Sequence, residues 1–234
     1  MSLYFWVLIG TFIGPLAMSF DKKVKFYTHW KSIAISAFTV SLFFIAWDEY
    51  FAWKQVWAFN PDYVQGIYIG LLPIEECLFF FIVPYSCLFI HEVLKAYFPK
   101  IQTELLGKLF AFTMVFSGML LASLHMNNWY TLTACSFSAI LIIGFYFQYK
   151  VSWFGRFALT YCVALIPFLI VNGILTGFFT DEPVVLYNEN HIIGARIGTI
   201  PLEDLYYNCA MLLPIVAIHE YLTKRWKQKK QFQN

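Results

Sequence analysis

Charge is what this sequence has least of. Only 13% of its 234 residues are Asp, Glu, Lys or Arg, while 60% are hydrophobic, with 26 Phe and 8 Trp. A soluble domain carries roughly 25% charged residues, so the chain has about half the charge needed to cover a water-facing surface. That shortfall excludes a soluble globular protein and leaves lipid as the solvent. No G-x-G-x-x-G and no P-loop occurs, which removes the usual nucleotide cradles. The five cysteines, Cys77, Cys87, Cys135, Cys162 and Cys209, lie in apolar runs without CxxC spacing, so buried inert thiols are expected. No His/Cys cluster has metal-ligand spacing. Residues 3–20 lack a basic lead-in and an A-x-A site, so they read as a retained span rather than a signal peptide.

What is present is a series of long apolar runs. A bilayer core takes roughly 20 apolar residues per helix. Seven runs qualify, at about 3–20, 32–47, 66–90, 108–124, 130–147, 157–179 and 197–221, the second being the shortest. The segments between them alternate in basic content. Lys22, Lys23, Lys25 and Lys31 fill the first, Lys95, Lys100 and Lys108 the third, Lys150 and Arg156 the fifth, and Lys224 to Lys230 the tail. The second, fourth and sixth are acidic or uncharged apart from Lys54 and Arg196. Lys and Arg stay on the cytoplasmic side, so the expectation is seven spans with the N-terminus outside and the C-terminus inside. Trp30, Trp47, Trp53, Trp57, Trp129, Trp153 and Trp226 fall near the expected interfaces, as an aromatic belt requires.

The chain also aligns with itself. At an offset of 128, Asn60, Gly66, Ile69, Gly70, Pro73, Glu75, Ile90, His91, Glu92 and Leu94 fall on Asn188, Gly194, Ile197, Gly198, Pro201, Glu203, Ile218, His219, Glu220 and Leu222. Two three-helix units follow, residues 1–106 and 128–234, with an extra joining helix at 107–127 that restores the direction of the second. The halves would then be related by a two-fold along the membrane normal. Gly66-x-x-x-Gly70 and Gly194-x-x-x-Gly198 read as close helix contacts at that axis.

Each copy carries paired acids, Pro73-Ile74-Glu75-Glu76 and Pro201-Leu202-Glu203-Asp204. If the third helix begins at Gly66, Glu75 lies roughly 13 Å along it, near mid-membrane. Four acids at that depth would cost on the order of 10 kcal/mol, and no Lys or Arg lies at the same level. One polar residue per copy would serve as interhelical glue, so two point to acid–base chemistry or a proton path. A neutral acid beside a carboxylate can give one proton and take another. Phe79 and Tyr207 each follow the first acid by one turn and share its face. His91-Glu92 and His219-Glu220 read as polarity at the cytoplasmic helix ends. Asp48, Glu49 and Asp181, at the outer ends of the second and sixth spans, read first as solvated loop residues, with the lining of an entrance to the site as the alternative. The seventh span has no Lys before Lys224, which excludes a standard rhodopsin.

Three-helix units bearing P-x-E-(E/D) resemble the lycopene cyclase domain family, here as a fused tandem covering nearly the whole chain. The resemblance implies a polytopic all-α membrane enzyme, in the isomerase class, that turns lycopene end groups into β-ionone rings, giving γ- and β-carotene. It implies a bacterial cytoplasmic membrane, no cofactor, no metal, no nucleic acid, and contact with other enzymes of carotenoid biosynthesis. Glu75, Glu76, Glu203 and Asp204 are the expected catalytic residues, with Glu75 and Glu203 leading. Pro73, Pro201, Phe79 and Tyr207 are the expected substrate contacts. The rival readings are a carotenoid hydratase, in which water captures the same cation, and a proton-coupled membrane carrier.

Overall fold

The computed structural model describes residues 1–233 and is mostly helical. Its helices are α1 (Leu3–Met18), α2 (Trp30–Trp53), α3 (Ile74–Tyr97), α4 (Glu104–Leu124), α5 (Trp129–Ile142), α6 (Phe154–Leu175) and α7 (Glu203–Gln233). Five segments are long and apolar enough to cross a membrane: α2 with its preceding turn, α3, α4, α5 with the π-wound extension Ile143–Gln148, and α6. Helix α1 is apolar but has only 16 residues. Helix α7 runs unbroken from an apolar first part into the basic tail.

Two expected spans begin later than the sequence reading placed them. Residues 66–73 and 194–201 are not helical. They fold as tight hairpins, β2 (Tyr68–Ile69) on β3 (Leu72–Pro73) and β5 (Arg196–Ile197) on β6 (Ile200–Pro201). The glycines are the reason. Gly70 and Gly198 turn these hairpins at φ +65° and +64°, a conformation that glycine adopts without steric cost. The Gly-x-x-x-Gly pairs are therefore turn glycines and not helix contacts. Pro73 then precedes the first residue of α3, where a missing N–H forfeits no helical bond. Helix α2, expected to be the shortest, instead runs 24 residues, because Asp48 turns inward rather than ending it.

Prolines inside the helices free carbonyls that apolar surroundings cannot satisfy. At two of these prolines, Pro84 and Pro15, neighbouring serines supply the missing donors. Ser41 Oγ of α2 donates to the Phe80 carbonyl, four residues before Pro84, at 2.5 Å. Ser86 Oγ of α3 donates to the Thr11 carbonyl, four residues before Pro15, at 3.0 Å.

Helices α3 and α7 each pack against several of the others. α1 lies on α3 and α5 lies on α7, while α2 packs against both α3 and α7, and α6 against α3, α4 and α7. Helix α4 sits outside this arrangement on α5 and α6. The loops after α2 and α6 meet over one end of the bundle, where β1 (Trp57–Phe59) pairs antiparallel with β4 (Val185–Tyr187), Trp57 opposite Tyr187. Trp57 is consequently a buried residue rather than a belt anchor. Among the cysteines Cys77, Cys87, Cys135 and Cys209 are buried, and Cys162 is exposed on the outer face of α6.

Candidate active site

Late helix starts put all four motif acids in the first turns of α3 and α7 rather than half-way along a span. The free N–H groups and dipole of a helix N-terminus favour carboxylates there. The two acids of each motif then face different ways.

Glu75 and Glu203 are wholly buried, and each accepts two hydrogen bonds at Oε1. Glu75 takes them from Ser2 Oγ at 2.6 Å and the Gln65 amide at 2.7 Å. Glu203 takes them from Thr131 Oγ1 at 2.5 Å and the Ile193 amide at 2.8 Å. Each thereby fastens a hairpin loop and the start of a neighbouring helix to its own helix. Neither lines the central cavity, and Pro73 and Pro201 stand beside them, also away from it. The second oxygen of each glutamate has no protein partner.

Glu76 and Asp204 face each other's half across a narrow cavity of about 50 Å³, beneath the β1–β4 pair. A third carboxyl joins them. Asp48, expected in a solvated loop, is 4% exposed and lines the same cavity. Its carboxyl lies within hydrogen-bonding reach of Glu76 and also accepts from Tyr207 OH. Glu76 Oε2 accepts from Tyr4 OH at 2.6 Å. Asp204 is held differently, by Tyr130 OH at 2.6 Å on Oδ1, Asn172 Nδ2 at 2.6 Å on Oδ2, and Tyr187 OH at 3.0 Å on Oδ2. Burial pushes the Tyr187 phenol well above its ordinary value, so it meets Asp204 as a donor. Among the described residues, no Lys or Arg lines the cavity.

The remaining walls are mostly aromatic. Trp57 packs edge-on against Tyr130 at 5.2 Å and Tyr207 at 6.3 Å, and Phe59, Phe79 and Phe168 line the cavity too. Asn208 also lines it, with neither amide atom paired to protein. Phe79 and Tyr207 both line the cavity, whereas Glu75 and Glu203, whose helix faces they share by spacing, do not. Asp48, Tyr4, Tyr130, Asn172, Tyr187 and Asn208 were missed. A polar residue inside an apolar run was signal enough for Asn172 and Asn208.

Some 16 residues further along α3 and α7 lies a second buried polar cluster. His91 Nε2 is 2.9 Å from Glu220, His219 Nε2 is 3.0 Å from Glu92, and Lys95 Nζ is 2.7 Å from both glutamates. Thr160 and Ser32 hold the other ring nitrogens. Lys95 therefore lies half-buried in the last turn of α3 rather than in a loop, and the His-Glu pairs are links between α3 and α7 rather than end polarity alone. Two sets, His29, Glu92, His219 and His91, Glu92, Glu220, bring ligand atoms within 4.8 Å of one another. Lys95 stands between the glutamates where a metal ion would sit, and the network is satisfied as an ion pair.

A family model described as lycopene cyclase matches residues 1–94 and 127–222, leaving out residues 95–126, which hold α4, and residues 223–234 at the end of the chain. No curated protein and no solved structure matches the chain. A match over most of the sequence, in two segments that each carry one acid motif, is sufficient. The chain belongs to the lycopene cyclase family.

Proposed function

We propose that this protein is a lycopene β-cyclase that crosses the membrane seven times, N-terminus outside and C-terminus in the cytoplasm, as two three-helix units joined by α4. The observation that carries the reading is the convergence of Asp48, Glu76 and Asp204 on one aromatic-walled cavity with no cation.

Cyclisation of a polyene end needs an acid, a base and protection from water. A proton adds to the terminal double bond and leaves a tertiary cation. The neighbouring double bond attacks it, closing a six-membered ring and moving the cation to a second tertiary carbon. Loss of a ring proton forms the new double bond. One proton enters and one leaves, so the reaction is an isomerisation with no electron acceptor. Glu76 and Asp204 exchange these protons. Glu75 and Glu203 hold the loops and helix starts that position them. The faces of Trp57, Tyr130, Tyr207 and Phe79 and the free carbonyl oxygen of Asn208 offer negative potential to the cation. A cavity of about 50 Å³ admits one or two waters but not a ring-forming end group. The polyene therefore enters by parting the walls, and closure behind it keeps water from capturing the cation as an alcohol.

Expression of the chain in lycopene-accumulating cells, followed by pigment extraction, tests this. β-Ring carotenoids are expected. ε-Rings would correct the ring type, tertiary alcohols would make it a hydratase, and unchanged lycopene would sink the reading.

A further inference from the structure

The two halves present their second acids to the cavity in unequal company. Asp48 and Glu76 are two carboxyls in contact, each receiving one tyrosine hydroxyl, from Tyr207 and Tyr4 respectively. Two adjacent carboxylates in a cation-free interior repel each other strongly, so such a pair keeps one proton between them. Asp204 has no carboxyl partner at the cavity. Three donors, Tyr130, Asn172 and Tyr187, occupy both of its oxygens. Donors in that number stabilise a carboxylate, and a proton on Asp204 would have to displace one of them. The contrast lies in three positions. Where the first site has Asp48 beside Tyr207, the second has the amide of Asn172 and, at the offset of 128 from Tyr207, the hydroxyl-free ring of Phe79; where the second has Tyr187, the same offset gives the first Phe59.

We infer that the site is directional: the Asp48–Glu76 pair is the proton donor, with Asp48 a catalytic residue, and Asp204 is the base, positioned by Asn172. The inference rests on the cyclase reading. In the forward step the shared proton leaves the pair and bonds to the terminal alkene carbon, and the pair becomes doubly ionised. The ring carbon–carbon bond forms. Asp204 then accepts the proton released from the ring carbon, and that C–H electron pair becomes the new double bond. Between turnovers, as product leaves and substrate enters, Asp204 gives that proton to water and the pair takes one from water, which restores the starting state with every atom accounted for.

Turnover of lycopene in membranes equilibrated with D₂O, read by mass spectrometry of products and recovered substrate, tests the direction. The wild-type protein is expected to place one deuterium in each ring. Asp48→Asn and Glu76→Gln are expected to return unlabelled lycopene, with ring formation down at least about 100-fold. Asp204→Asn still generates the cation but cannot quench it correctly. Deuterium should therefore appear in recovered lycopene or in products with displaced double bonds or a tertiary alcohol. Asp204→Glu is expected to recover part of normal ring formation. Should Asp204→Asn fail to accumulate in the membrane, Asn172→Leu serves instead, and labelled lycopene should rise as kcat falls. Labelled products from Asp48→Asn with unlabelled lycopene from the Asp204 or Asn172 variant would reverse the assignment. Unlabelled lycopene from both sides would abolish it while leaving the cyclase reading intact. A wild-type protein that forms no ring would end both.

Discussion

Helices α3 and α7 each bury two polar stations, and the stations differ in one respect that separates chemistry from structure. Near the starts of the helices, Asp48, Glu76 and Asp204 share a cavity with tyrosines and amides but no cation. Sixteen residues on, Glu92 and Glu220 share Lys95 and two histidines, with every partner within 3.0 Å. Compensated charges bind the halves together, and removing one partner leaves the others stranded. Uncompensated acids add no such bond, and on the cyclase reading they hold the proton that the reaction needs.

Substitutions can break that contrast. The largest effect is expected from Glu76→Gln, which should lower cyclisation at least about 100-fold while leaving the detergent melting temperature unchanged or raised, because it removes a carboxyl that no cation balances. Glu92→Gln should do the reverse. It strips His219 and Lys95 of their shared carboxylate and should cost about 2–3 kcal/mol of stability, with product identity unchanged. A Glu92→Gln protein as stable as wild type would show that the second station is not a clamp. Tyr207→Phe removes the hydroxyl that Asp48 accepts from and should slow turnover about 10-fold without altering the ring formed. The smallest effects concern the hairpins. Gly70→Ala places a methyl against the Glu49 carboxylate that accepts from the Leu71 amide, and Gly198→Ala meets only Phe178 at ordinary contact distance. Melting curves should show the first costing about 2 kcal/mol and the second about 1, both through positive φ.

The helical class and the two acid motifs were legible because composition and a 128-residue offset are global signals. Helix starts were not. Residues 66–73 are apolar enough to read as span, and only the φ of Gly66 and Gly70 reveals the hairpin that shifts α3 by eight residues. That shift moves the acids from the middle of a helix to its first turn. Asp48 was misread for a related reason. In the run Trp47-Asp48-Glu49-Tyr50 nothing distinguishes a residue facing water from one facing inward, and the structure gives Glu49 to the Leu71 amide and Asp48 to the cavity. The partners of Asp204 come from α5, α6 and the loop before α7, a convergence that no local spacing encodes.

The three-residue ladder between β1 and β4 stitches the loop of one half to the loop of the other. Trp57 and Phe59 on one strand and Val185 and Tyr187 on the other are at once rungs of that ladder and walls of the chamber. On the cyclase reading, unzipping it would bare Asp48, Glu76 and Asp204 together, and rezipping would cover them together. Admission of an oily guest and drying of the chamber thereby become a single mechanical event.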